Sequence, residues 1–148
     1  MDKKINKRSL LVIGGTGFIG QNLVKKAVKE NLSVTSLSLK KNKKLKKFEN
    51  VKYLFKDLKN VDSFKFLKTE KFNYVINLGG YIDHKNFIKG GDQVILEHFD
   101  LLRNLIKNIN REHLECFVNI GSSDEYGNCN APQKETFREA PLSPYSFG

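Results

Sequence analysis

Between an apolar run and a helical pattern the sequence reads Gly14-Gly15-Thr16-Gly17-Phe18-Ile19-Gly20. Gly15, Gly17 and Gly20 fill the three places of a G-x-G-x-x-G pattern, in which the glycines give a tight turn, a backbone a ligand can approach and close helix packing. A helix that starts inside such a loop presents free N–H groups and the positive end of its dipole, which suits a phosphate. The pattern alone is weak, so its surroundings matter. Ser9–Ile13 (SLLVI) before it is short and apolar enough for a buried strand. Phe18, Ile19, Leu23, Val24, Ala27 and Val28 after it recur at helical spacing to about Lys29, and Asn31 closes the helix. All seven residues of the loop are therefore expected to hold the pyrophosphate of NAD or NADP.

The end of the next strand should meet the adenosine ribose. A carboxylate roughly 20 residues after the glycines would select NAD. Here stand Ser36, Leu37, Ser38 and Leu39, then Lys40 and Lys41, with no acid. A neutral residue beside lysines suits a 2′-phosphate better than a bare hydroxyl. Ser38 and Lys40 are thus candidate cofactor contacts, and NADP is favoured over NAD. Lys40 and Lys41 open a run continued by Lys43, Lys44, Lys46 and Lys47, which carries much of the net charge of +10. No aromatic side chain interleaves those lysines, as a platform for single-stranded nucleic acid would need. The run reads as a solvated loop that can assist a nucleotide phosphate, and no nucleic-acid partner is expected.

Other chemistries find little support. Cys116 and Cys129 are separated by a loop and have no His/Cys cluster nearby, so neither a disulfide nor a metal site is expected. Cys116 alternates into an apolar strand and is expected to be a buried thiol. The Met1-Asp2-Lys3-Lys4 start lacks the apolar stretch of a secretory signal. No apolar run approaches the roughly 18 residues of a membrane span. A cytoplasmic protein with no membrane partner is the expectation. His84 and His113 have no partner in sequence and receive no role.

The elements that must position these groups follow from pattern. With 148 residues, 39% hydrophobic and 28% charged, the chain is expected to form one domain. Leu32–Leu39, Val51–Phe55, Tyr74–Leu78 and Cys116–Ile120 read as further strands. Val61–Leu67 reads as helical. Val94–Ile109 places Val94, Ile95, Phe99, Leu102, Leu105, Ile106 and Ile109 near one helical face. A loop with Pro132, Pro141 and Pro144 follows, with no internal repeat or linker. Strands alternating with helices indicate an α/β fold, a doubly wound parallel sheet. Right-handed crossovers then favour the Rossmann-like order 3-2-1-4-5.

The spacing Gly14-x-x-Gly17-x-x-Gly20 resembles the extended short-chain dehydrogenase/reductase family, and within it the nucleotide-sugar epimerases and dehydratases. Asp57-Leu58 resembles that family's Asp-plus-apolar pair, whose carboxylate takes the adenine amino group. Asn77-Leu78-Gly79-Gly80 is similar to its small-residue turn along the cofactor. Gly121-Ser122-Ser123-Asp124-Glu125-Tyr126-Gly127 resembles its Ser/Thr-x-x-x-Tyr-Gly segment. Pro141–Gly148 resembles the stretch that delivers its catalytic tyrosine. These matches fall in order and cover essentially the whole chain.

The resemblance implies that Tyr145 moves a proton on a sugar hydroxyl while hydride passes to or from a nicotinamide. A free phenol titrates near pH ~10, too high for a base at neutral pH. The family lowers it with the positive nicotinamide and a lysine four residues later. Ungapped alignment puts Ser122 in the Ser/Thr place, bonded to the same sugar oxygen, and a one-residue gap would put Ser123 there instead. Asp124 falls where family dehydratases carry the acid that helps expel water, with Glu125 a weaker candidate. Ile13 departs from a frequent Thr, and His98 falls near a family Asn. The lysine would be residue 149, beyond Gly148, so the chain reads as the N-terminal half of such an enzyme, without the C-terminal substrate domain. A nucleotide sugar is the implied substrate, and a homodimer through the 94–109 helix is an implied assembly. The competing reading is an NAD(P)-binding module without catalysis.

Overall fold

The computed structural model describes residues 7–41, 45–80 and 83–148. Lys43, Lys44 and the Met1–Lys4 start lie outside these. Five strands form one parallel sheet: β1 (Ser9–Ile13), β2 (Ser33–Ser38), β3 (Val51–Phe55), β4 (Tyr74–Asn77) and β5 (Cys116–Asn119). Their spatial order is β3-β2-β1-β4-β5, as the alternating pattern predicts. β1 is central, with Val12 opposite Ser36 of β2 and Ile13 opposite Asn77 of β4.

Alternation sorts the β1 side chains onto two faces. Leu10 and Val12 pack with Val34 and Val51 of the neighbouring strands and with Val24 and Ala27 of helix α1 (Phe18–Lys29). Leu11 and Ile13 are fully buried on the opposite face. Burying each such aliphatic side chain contributes about 1.5–3 kcal/mol. The sheet is thus held from both sides, and the C-terminal ends of β1 and β4 meet at its centre.

Element bounds moved for local reasons. Leu32 drops out of β2 because its N–H donates to Ala27 O, closing α1. Asn31 turns the chain there with φ 63°, a conformation Asn tolerates. The Val61–Leu67 stretch is helical but of the 3-10 kind, spanning Val61–Lys68. Side chains three apart eclipse in that geometry, and Phe64 and Leu67 share the buried side. Helix α2 (Asp92–Asn108) starts two residues before the apolar pattern does. A short helix α3 (Pro144–Phe147) forms in the stretch read as a proline-containing loop.

One expectation of burial fails. Cys116 is exposed: among the described residues β5 pairs with β4 alone and shows little of itself to the core. Phe18 and Ile19 are 86% and 61% exposed, although they continue the apolar stripe of α1. They occupy its first turn, beyond the sheet surface that buries Val24 and Ala27. Among the described residues no helix is long and apolar enough to cross a membrane.

The chain divides into two compact units. One consists of Met1–Gly79 with Asn104–Asn119 and contains the sheet and α1. The other consists of Gly80–Arg103 with Ile120–Gly148. It contains the start of α2, a 3-10 turn at Ser123–Tyr126, and α3.

Candidate functional site

In the first unit the glycine loop joins β1 to α1. Gly14 has φ 78°, the left-handed region open to glycine. A Cβ there would press on the Leu78 carbonyl, so the loop runs close against the end of β4. Gly14 N–H donates to Leu37 O of β2, at 2.8 Å. At Gly20 the contact is tighter still: any Cβ would collide with the Gly14 carbonyl and the Gly15 backbone. α1 therefore begins in contact with its own loop.

The first turn of α1 is left open. Its N-cap is Gly17, which provides no side-chain cap, and no acidic residue lies in that turn. The first N–H groups of a helix have no partner within it. Those of Phe18, Ile19 and Gly20 thus stand at a positive helix end, beside a loop in which Gly14, Gly15 and Gly20 leave little room for a Cβ. These features fit a pyrophosphate.

Side chains from β2 hold the loop. Ser38 is buried, and its Oγ accepts the Thr16 N–H at 3.2 Å. The Thr16 carbonyl accepts from Gln21 Nε2 at 3.0 Å. Ser38, read from sequence as a ribose contact, thus supports the loop, while Lys40 is exposed just beyond it. Ser36 is 1% exposed and lies directly under Gly15. Its Oγ is buried and finds no hydrogen-bond partner among the described residues.

The turn after β4 completes this end of the sheet. Buried Asn77 donates from Nδ2 to Asn119 Oδ1 at 2.7 Å. Its Oδ1 accepts the Gly79 N–H at 3.0 Å. Leu78 N–H donates to Ile13 O at 3.0 Å. After β3, Asp57 is exposed and accepts the Lys59 N–H at 2.9 Å, which turns the chain, with Leu58 half-buried beside it. The structure thus brings Gly14–Gly20, Ser38, Leu78 and Gly79 together around the C-terminal ends of β1, β2 and β4. Ligands of doubly wound sheets bind outside those ends, where the strand order reverses.

The second unit carries the residues read as catalytic. Ser122 caps the 3-10 turn, its Oγ accepting the Asp124 N–H at 3.2 Å. That bond leaves the hydroxyl proton free to be donated. Ser123 and Asp124 are exposed. Burial, then the carboxylates of Glu125, Glu135 and Glu139, raise Tyr126 above the ordinary phenol range. It stays protonated at neutral pH and is a poor proton acceptor there.

Tyr145 sits in the first turn of α3. Ser143 and Ser146 close that turn reciprocally, Ser146 N–H donating to Ser143 Oγ at 3.1 Å and Ser143 N–H to Ser146 Oγ at 2.9 Å. Pro144 is buried against the Gly91 backbone. Two rings from other segments flank Tyr145. His84 lies at 4.7 Å between ring centroids with a 49° tilt, and His98 at 5.9 Å nearly edge-on at 83°. Neither contact has a sequence signal beyond His98 falling near the family's Asn. Gly80, read as part of the cofactor turn, lies in this unit against the His98 ring.

No curated protein matches the chain. Among solved structures it is similar to an epimerase from Methanothermobacter thermautotrophicus, with TM-score 0.82 and 20% identity over 95% of this chain and 44% of that one. It is also similar to the UDP-Glc/GlcNAc 4-epimerase from Campylobacter jejuni, with TM-score 0.79 and 21% identity over 94% of this chain and 45% of that one. The third is the UDP-glucuronic acid 4-epimerase from Bacillus cereus in complex with NAD, with TM-score 0.77 and 21% identity over 93% of this chain and 47% of that one. At such identities the likeness shows the fold. The chain spans less than half the length of each of these structures. The sequence pattern of the NAD dependent epimerase/dehydratase family matches residues 10–147. Since that match runs from β1 through the glycine loop to the helix bearing Tyr145, the chain belongs to the NAD dependent epimerase/dehydratase family.

Proposed function

We propose that this chain is the cofactor-binding part of an NAD(P)-dependent enzyme acting on nucleotide sugars as an epimerase, dehydratase or reductase. The observation that carries this reading is the uncapped first turn of α1. Gly17 offers no side chain, the turn holds no acid, and Gly20 packs on the loop backbone. Gly14–Gly20 would hold the pyrophosphate. Asp57 and Leu58 would meet the adenine, and Leu78 to Gly80 would run along the rest of the dinucleotide. Exposed Lys40, with no acid in the sequence from Ser36 to Lys41, supports NADP over NAD. Titration of the chain with each dinucleotide tests this, and NAD binding as tightly as NADP would refute the preference.

A bound nicotinamide supplies the hydride acceptor and donor. Tyr145 moves the proton of the reacting sugar hydroxyl, and Ser122 donates a hydrogen bond to the same oxygen, with Ser123 the alternative. Asp124, exposed on the turn that Ser122 caps, would protonate a departing hydroxide in a dehydration. Leu96, Phe99 and Ile106, exposed on α2, support a homodimer through that helix. Removing a general acid–base group typically costs about 10²–10⁴ in rate. Tyr145→Phe should therefore lower kcat by about that factor in a protein of the relatives' full length, with dinucleotide affinity unchanged. Full turnover by this variant would sink the assignment of Tyr145.

A further inference from the structure

We propose that His84 and His98 are positioning residues for Tyr145, bracketing its phenol ring and fixing the direction of its hydroxyl. This rests on Tyr145 being the proton carrier. The turn around Tyr145 fixes its backbone, through the Ser143–Ser146 capping box and buried Pro144. It does not fix the two side-chain torsions that aim the hydroxyl. The imidazoles supply that restraint from two separate segments. His98, half-buried on α2, meets the Tyr145 ring nearly edge-on at 5.9 Å. His84, exposed, meets it at 4.7 Å with a 49° tilt. Both distances lie in the range where aromatic pairs attract, and each such contact favours the held rotamer by about two- to tenfold. Because the inclinations differ, the pair restrains both the plane and the tilt of the phenol.

His98 is itself confined. Its Cε1 would lie 3.6 Å from a Cβ at Gly80, so the imidazole rests over that glycine. A ring seated this way can hold a second ring steady. A proton carrier displaced by about 1 Å can cost on the order of a hundredfold in rate, so the bracket bears directly on turnover.

The test is NMR of the 148-residue chain labelled with ring-¹³C tyrosine. Five tyrosines contribute signals, and Tyr145→Phe identifies the one in question. In the unaltered chain the Tyr145 ring protons should be displaced by the two neighbouring rings. His84→Ala and His98→Ala should each move them toward the position of free tyrosine. His84→Phe, which keeps a ring at the exposed position, should preserve a displaced signal. Tyr53, Tyr74 and Tyr126 should not move. Tyr145 signals that stay in place in both alanine variants would overturn the proposal. A common shift of all the tyrosines would report a loss of fold in that variant, and the other alanine variant then decides. Should His98→Ala fail to fold, His84→Ala decides alone. In a protein of the relatives' full length the alanine variants should lower kcat with dinucleotide affinity unchanged. Full turnover by Tyr145→Phe would place the failure in the acid–base reading, since the NMR shifts do not depend on it.

Discussion

Ser36 carries a buried hydroxyl with no partner among the described residues, and Gly15 rests directly on it. The side chain there must be small for the loop to lie against β2, but nothing requires it to be polar. Removing an unsatisfied buried hydroxyl is near neutral or stabilising, whereas orphaning a satisfied partner costs about 1–3 kcal/mol. Ser36→Ala should leave the melting temperature unchanged or raise it, with dinucleotide affinity preserved. Calorimetric unfolding checks this, and a clear loss of stability would show that the hydroxyl has a partner. At this scale the glycine loop was legible, because its chemistry requires particular residues at consecutive positions. The support that Ser38 gives to Thr16 joins residues 22 apart and leaves no mark in a local pattern. The same holds for His84 and His98, which reach Tyr145 from separate segments.

The contact between α1 and its own loop is a property of the element. Gly20 lies in the first turn of the helix, and its missing Cβ lets the helix axis approach the Gly14 carbonyl. A branched side chain there must push α1 off the loop, and overpacking of this kind costs about 1–3 kcal/mol. Gly20→Val should lower the melting temperature by several degrees, at about 2–4 °C per kcal/mol for a chain near this size. It should also abolish dinucleotide binding. A folded Gly20→Val chain that binds as before would show that this packing does not set the loop. Strands and long helices were legible from their periods, since alternation and helical spacing mark which side is buried. Their ends were not, because Leu32 and Asn31 are decided by hydrogen bonds that close α1. The exposure of Cys116 likewise depends on β5 being an edge, which its apolar alternation does not encode.

At the scale of the whole molecule, strand order was legible from the alternation of strands and helices, because right-handed crossovers leave few arrangements. The division into two compact units was not, since it depends on where distant segments gather rather than on any linker. The central parallel sheet places the ends of β1 and β4 side by side and opens the first turn of α1 beyond them. That opening is the basis for assigning a dinucleotide to this chain. It can be examined by following ¹H–¹⁵N spectra of the 148-residue protein during titration with NADP⁺ and NAD⁺. The Phe18, Ile19 and Gly20 amides should shift saturably, together with Gly79 at the end of β4. Amides of the first turn of α1 that stay in place at saturating dinucleotide would contradict it.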